Sequence, residues 1–427
     1  MNKKSRFFWT IAITFLVTAI AGLIAVNFTI GEKKLDRQVP RLYSSGDAQF
    51  QRAISSLLGS GIVGGNRVEA LINGDQIFPA MLEAIRSAET SITFETYIYW
   101  SGEIGRDFAT ALADRARAGI KVHVLLDWVG SGKIDDAYLK EMEKAGVEVR
   151  QFHKPAWYNL AKLNNRTHRK LLVVDGKTGF TGGVGIAPQW TGNAQDAKHW
   201  RDSHFRIDGP AVAQMQAVFM DNWLKETGQV MHGEAYFPAL NSVGDSKAQV
   251  FSSSPSGGSE SMQLMYLLSI TAAEKSIDLS SAYFVPDALT TRALTGALDR
   301  GVQLRIIMPG KIIDTETVRA ASRGGWGPLL EAGAELYEYQ PTMYHCKVMI
   351  VDRSLVSVGS TNFDNRSFRL NDEANLNIFD SAFAASQTEV FETDLRQARR
   401  VTHSEWESRP FKEKLLERLA RLGVSQL

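Results

Sequence analysis

The apolar positions of this chain fall into two kinds of pattern. From Phe7 to Ile30 the sequence carries no charge and is almost wholly apolar. As a helix that stretch rises roughly 36 Å, more than the about 30 Å of a bilayer's hydrocarbon core. Ala19-Ile20-Ala21 would suit a cleaved leader, but the apolar run continues through Leu23, Ile24, Val26 and Phe28, which favours an anchor that stays. Lys3, Lys4 and Arg6 on one side are balanced by Lys33, Lys34, Arg37 and Arg41 on the other, so the side of the membrane that holds the body is left open. The expectation is a cell-membrane protein with a single-pass anchor over residues 1–31.

Past the anchor, residues 32–66 are polar and interrupted by Gly and Ser, and read as a tether with a short amphipathic helix near Phe50 to Leu58. Short apolar runs then alternate with helical spacing. A strand near Ala70 to Ile72 leads through Asn73-Gly74-Asp75 to a helix with apolar Phe78, Met81 and Ile85. Strand Ser91 to Tyr99, helix Gly105 to Ala118, a Gly119 stop and strand Val122 to Asp127 follow. The same order returns as a strand from Ala248 to Phe251, a Ser/Gly/Pro loop at 252–258, and a helix with Met262, Met265 and Leu268. Strand Ser276 to Tyr283, helix Ala293 to Arg300, Gly301 and strand Gln303 to Met308 complete it. Matching landmarks keep a near-constant offset, the mark of a duplication. The fold class is α/β, with two similar halves over 67–230 and 246–427 and a boundary between about Thr227 and Lys247.

Composition narrows the class. The 427 residues are 44% apolar and 22% charged, as a globular chain of about two domains would be. A net charge of +1 gives no overall basic field, so no nucleic-acid partner is expected. The single cysteine, Cys346, forms no internal disulfide. No Cys/His cluster has ligand spacing, so neither a metal nor another cofactor is expected.

The chemistry lies in a repeated motif. His168-Arg169-Lys170 is followed by an apolar run and Asp175, and His345-Cys346-Lys347 by an apolar run and Asp352. Side chains alternate along a strand, so each His shares a face with its Lys, while Cys346 faces away as a core thiol. An imidazole beside a fixed positive charge suits attack on a phosphate, and two copies let one histidine attack while the other protonates the leaving group. The context repeats as well. Gly182-Gly183 and Gly359-Ser360 follow at the same distance, and Asp202 and Glu373 lie downstream where each can orient a histidine.

These residues resemble the phospholipase D superfamily, and within it the cardiolipin synthases. The pieces that carry the resemblance are Phe94-Glu95-Thr96-Tyr97-Ile98, Asn165 to Lys170, Trp200 to His204, Ala282 to Asp287 and Gly359 to Glu373, with a closing Trp406 to Pro410. The resemblance implies a pseudo-twofold pair of α/β halves sharing one site, and a metal-independent transfer through a phosphatidyl-histidine. It implies His168 as nucleophile, His345 as acid and base, and Lys170 and Lys347 on the phosphoryl oxygens. Ser360 and Asn362 then add hydrogen-bond donors, and Asp202 and Glu373 hold the rings. Asp175 and Asp352, counted with the catalytic set, support the motif rather than touch substrate. One departure stands out: Gly183 and Gly185 occupy the first-copy positions where the family has Ser and Asn, so a side-chain donor is missing there.

The implied substrates are membrane phospholipids, phosphatidylglycerol and also phosphatidylethanolamine, giving cardiolipin; the alternative is a phospholipase D that yields phosphatidic acid. Trp157, Tyr158 and Leu160 in a loop, and a C-terminal helix with Leu415, Leu416, Leu419 and Leu422 on one face, are further candidates for bilayer contact. For that helix, packing on the protein's own core is an equal alternative. His204, beside Asp202, is a candidate support; His123, His153, His199, His232 and His403 read as surface or core residues.

Overall fold

A computed structural model of the chain describes residues 3–29, 35–155, 164–255 and 260–423. The aromatic loop at 157–160 lies outside the described residues. Lys3–Thr29 is one helix, and its apolar stretch Lys3–Val26 is not buried among the described residues.

Sixteen strands among the described residues form one continuous sheet. In the first half, strands Ser91–Thr96, Lys121–Asp127 and Glu148–Phe152 run parallel, and Leu171–Val174, Thr178–Gly182 and Ser203–Asp208 continue antiparallel. The second half repeats this with Ser276–Ser281, Gln303–Pro309, Glu335–Tyr339, Lys347–Val351, Leu355–Gly359 and Asn371–Phe379. The halves join edge to edge where Val63–Ile72 pairs antiparallel with Ser246–Ser253. Neither strand is left as an open edge, which removes a site for unwanted pairing.

Each helix forms for a legible reason. Asn73–Arg86 buries Ile77, Phe78, Met81, Leu82 and Ile85, one stripe at helical period. The Asn73-Gly74-Asp75 stretch, expected as a loop, is its first turn. A Cβ on Gly74 would lie 2.1 Å from the Trp190 carbonyl oxygen, so only glycine lets the chains pass there. Gly119 and Gly301 follow their helices at φ +89° and +87°, as chain-reversing glycines do. The stretch read as a tether carries the helix Ala48–Leu57, N-capped by Asp47, and its Phe50 and Ile54 sit in the core of the second half.

A third core lies under the sheet and belongs to both halves. Phe205, Met215, Phe219 and Trp223 from the first meet Tyr344, Val356, Phe383 and Phe391 from the second. Buried side chains of this size contribute about 1.5–3 kcal/mol each, so the seam between the halves is a hydrophobic core and not a hinge.

Candidate active site

Both motifs place His just before a strand and Lys at or before its first residue. Each is clipped by the opposite half. Arg166–Thr167 runs parallel to Asn371-Asp372, and the His168 N–H donates to the Asp372 carbonyl at 2.9 Å. Tyr344 bridges to Arg201 in the same sense, and the His345 N–H donates to the Arg201 carbonyl at 2.7 Å. The next residues after those carbonyls are Glu373 and Asp202. The carboxylates therefore cross the seam: His168 Nδ1 lies 3.0 Å from both Glu373 oxygens, and His345 Nδ1 lies 2.7 Å from Asp202 Oδ2. With each Nδ1 committed to a carboxylate, Nε2 is the nitrogen left for chemistry.

Both rings line one cavity of about 850 Å³, together with Lys170, Asn362, Arg166, Arg366 and a wall of Tyr97, Trp100, Trp190 and Trp200. Tyr97 meets the His168 ring edge-on at 5.2 Å, and Trp190 meets the His345 ring at 5.2 Å. Each lysine folds back so that its Nζ donates to the carbonyl of its own histidine at 2.8 Å, and Lys347 Nζ is 3.4 Å from His345 Nε2. Asn362 leaves its Oδ1 buried without a protein partner.

The two carboxylates are held by different means. Glu373 Oε2 accepts from Ser360 Oγ at 2.5 Å, and Oε1 from Asn371 Nδ2 at 3.2 Å. At the equivalent place beside Asp202 stands Gly183, where a Cβ would lie 2.3 Å from Asp202 Oδ1. The indole of Trp190 supplies the donor instead, Nε1 to Asp202 Oδ2 at 2.9 Å, and the Ser203 N–H adds another at 2.8 Å. Gly185 makes room for that indole: a Cβ there would be 3.1 Å from its ring and 2.9 Å from Ile98. Trp190 thus takes the place of the donor missing at Gly183, while Gly185 leaves no side-chain counterpart of Asn362, and Trp190 is the residue that the sequence did not flag.

Asp175 and Asp352 are not in the cavity. They lie at the far ends of the motif strands, where each accepts backbone N–H groups from the turn before a neighbouring strand. Asp175 caps Glu89, Thr90 and Ser91, and Asp352 caps Glu274, Lys275 and Ser276. Five residues of extended chain from each lysine carry them about 16 Å away. Ser360 is also fully buried and meets Glu373 rather than open space. Cys346 faces away from the cavity, and burial pushes its thiol up to about 12. His204 is buried with no protein partner on either ring nitrogen.

Arg169, between His168 and Lys170, turns to the opposite face and spans the seam. It donates to the carbonyls of Val218, Ser253 and Glu373, and pairs with Asp221 at 3.0 Å. Arg201 is held by a two-pronged, buried pair with Asp394 at 2.8 and 2.9 Å. These two arginines fix the backbone that carries the crossed carboxylates.

Burial first, partly offset by Glu373, holds His168 down to about 4. Burial and then Lys347 hold His345 below the ordinary histidine range, against the pull of Asp202. Burial pushes Asp202 and Glu373 up, but the facing imidazoles, lysines and hydrogen bonds outweigh it and keep both ionised. Burial and Lys347 bring Lys170 down to about 7. An anionic phosphodiester entering the cavity would raise the proton affinity of both lysines and both histidines.

Duplicated α/β halves, two carboxylate-held histidines and a cationic cavity on their seam define an enzyme of the phospholipase D type. A family profile described as "Cardiolipin synthase, PLD-like domain" matches residues 81–223 and 266–395. The chain is 34% identical to cardiolipin synthase 1 of Bacillus cereus over 363 residues, 82% of this chain and 71% of that protein. It is 33% identical to cardiolipin synthase A of Pseudomonas syringae, over 87% of this chain and 77% of that one. The crystal structure of phosphatidylserine synthase from Haemophilus influenzae superposes with a TM-score of 0.67 at 16% identity, covering 89% of this chain and all of the other, which shows the shared fold. The chain belongs to the cardiolipin synthase family and is a membrane phosphatidyltransferase acting on phospholipids.

Proposed function

We propose that this protein makes cardiolipin from phosphatidylglycerol and a second phospholipid, either phosphatidylglycerol again or phosphatidylethanolamine. The observation that carries the reading is the pair of crossed imidazole–carboxylate contacts on one cavity. In the first step His168 Nε2 attacks the donor's phosphorus. The bond from phosphorus to the headgroup alcohol breaks, and His345 gives that alcohol its proton. A phosphatidyl group is then held on His168 through a phosphorus–nitrogen bond. In the second step His345 takes the proton from an acceptor hydroxyl, whose oxygen displaces His168.

Lys170 and Lys347 neutralise the phosphoryl oxygens, and Asn362 adds a side-chain donor. Glu373 and Asp202 stabilise each ring when it becomes positive. Asp175 and Asp352 brace the strands. The single helix near the N-terminus anchors the chain, and the two halves, 67–230 and 246–427, act as the repeat units of one enzyme. The test is to incubate the purified protein with headgroup-labelled phosphatidylglycerol. Cardiolipin with released glycerol is the expected result; phosphatidic acid alone would make it a hydrolase and overturn the reading.

The pH profile follows from the same groups. The competent free enzyme has neutral His168 with protonated His345 and Lys170. As pH rises through about 4, His168 loses its proton and kcat/KM should rise. His345, held below the ordinary histidine range, loses its proton first as pH rises, and Lys170 follows at about 7, so log kcat/KM should fall with a slope near one before 7 and steeper than one above it. A plateau from pH 7 to 9 would contradict this assignment.

A further inference from the structure

The C-terminal helix Phe411–Arg421 is inside out. Its one buried residue is an acid, Glu417, which pairs with Arg409 at 2.9 Å and faces Arg323 at 3.7 Å. Its large apolar side chains face away from the protein: Phe411 is 76% exposed, Leu416 63%, Leu419 54% and, just past the end, Leu422 82%. Leu415, Leu419 and Leu422 recur at helical spacing, so they form one stripe with Leu416 beside it. A stripe of this size left in water forgoes the gain of burying its side chains, so an apolar environment is expected to cover it.

The helix is fixed in place by its polar side. It packs on the helix Glu316–Arg323, where Gly324 and Gly325 allow close approach: a Cβ on Gly324 would meet the Glu417 side chain and backbone at 3.2–3.3 Å. Asp314, Thr315 and Val318, at the start of that supporting helix, line the catalytic cavity. The C-terminal helix is therefore one helix removed from the cavity, its Ala420 packing on the cluster that contains Val318. Lys412 and Arg418 are exposed with no ion-pair partner among the described residues, and they flank the apolar stripe. Apolar side chains bordered by unpaired cations match the surface of an anionic bilayer, with leucines among the acyl chains and cations at the phosphates.

We infer that Phe411–Arg421 lies in the membrane interface and holds the cavity mouth at headgroup depth, so that a lipid's phosphate reaches the histidines while its acyl chains stay in the bilayer. The catalytic consequence rests on the phosphatidyl-transfer reading above; the docking does not.

The test uses the full-length protein in vesicles of phosphatidylglycerol and phosphatidylcholine. A nitroxide is attached through Leu419→Cys, since the native Cys346 is buried. The expected result is frequent collision with lipid-soluble oxygen and protection from a water-soluble nickel reagent. A label open to the nickel reagent would overturn the proposal. So would spin–spin broadening that vanishes on dilution with unlabelled chain, because the stripe would then bind a second copy. In parallel, Leu415→Ser, Leu416→Ser and Leu419→Ser combined should lower transfer from bilayer phosphatidylglycerol at least tenfold, leaving transfer from a short-chain monomeric analogue unchanged. Equal loss on both substrates would overturn the inference. Absence of transfer by the unaltered protein on either substrate would instead defeat the functional reading, with the label still reporting where the helix lies.

Discussion

His168→Ala is expected to lower phosphatidyl transfer by about 10⁴-fold or more, and His345→Ala by about 10²–10⁴-fold. The two losses differ in kind. Without His168 the proposed phosphorus–nitrogen bond should not form. Without His345 the attack remains possible, but the alcohol must leave unprotonated. A phosphodiester whose leaving group is a nitrophenol needs no proton on departure, so it should restore the first step in His345→Ala and not in His168→Ala. Both variants should keep their fold, since Glu373 retains Ser360 and Asn371, and Asp202 retains Trp190 and the Ser203 N–H. Steady-state rates beside thermal unfolding check this, and rescue of His168→Ala by the activated substrate would reverse the two roles.

Glu373→Gln and Asp202→Asn should each lower transfer by about 10²–10³-fold. An amide keeps the shape of the carboxylate but neither stabilises an imidazolium nor selects the tautomer with its proton on Nδ1. The crossing across the seam makes a sharper forecast. In the His345→Ala background, with the activated substrate, the first step depends on His168 and on whatever holds it. Glu373→Gln should then cost the full factor and Asp202→Asn almost nothing. Pairing within each half would give the reverse, so the comparison is a direct measurement of which carboxylate serves which ring.

The repeat, the α/β alternation and the two His–Lys pairs are legible in the chain because each is a local pattern. Strand spacing puts His168 with Lys170, and helical spacing puts Phe78, Met81 and Ile85 on one face. Pairing across the seam is not local. Nothing between His168 and Asp175 announces that the chain's partner is Asn371-Asp372, so the crossing of Glu373 and Asp202 could not be read. Trp190 escaped for a related reason. Gly183 looks like a missing donor until the indole that bonds Asp202 in its place is seen. The edge pairing of Val63–Ile72 with Ser246–Ser253 likewise reaches into a stretch that reads as tether. The C-terminal leucines were visible as a stripe, but their side of the helix was settled by Glu417, which the arginines around it bury.

The central claim is that two imidazoles, one from each half, act on a single phosphorus. A crystal structure of the protein with vanadate bound tests it most directly. Vanadium should be bonded to His168 Nε2, with His345 Nε2 within hydrogen-bond reach of the oxygen on the opposite side. Vanadate held by one histidine while the other ring faces a separate cleft would contradict it.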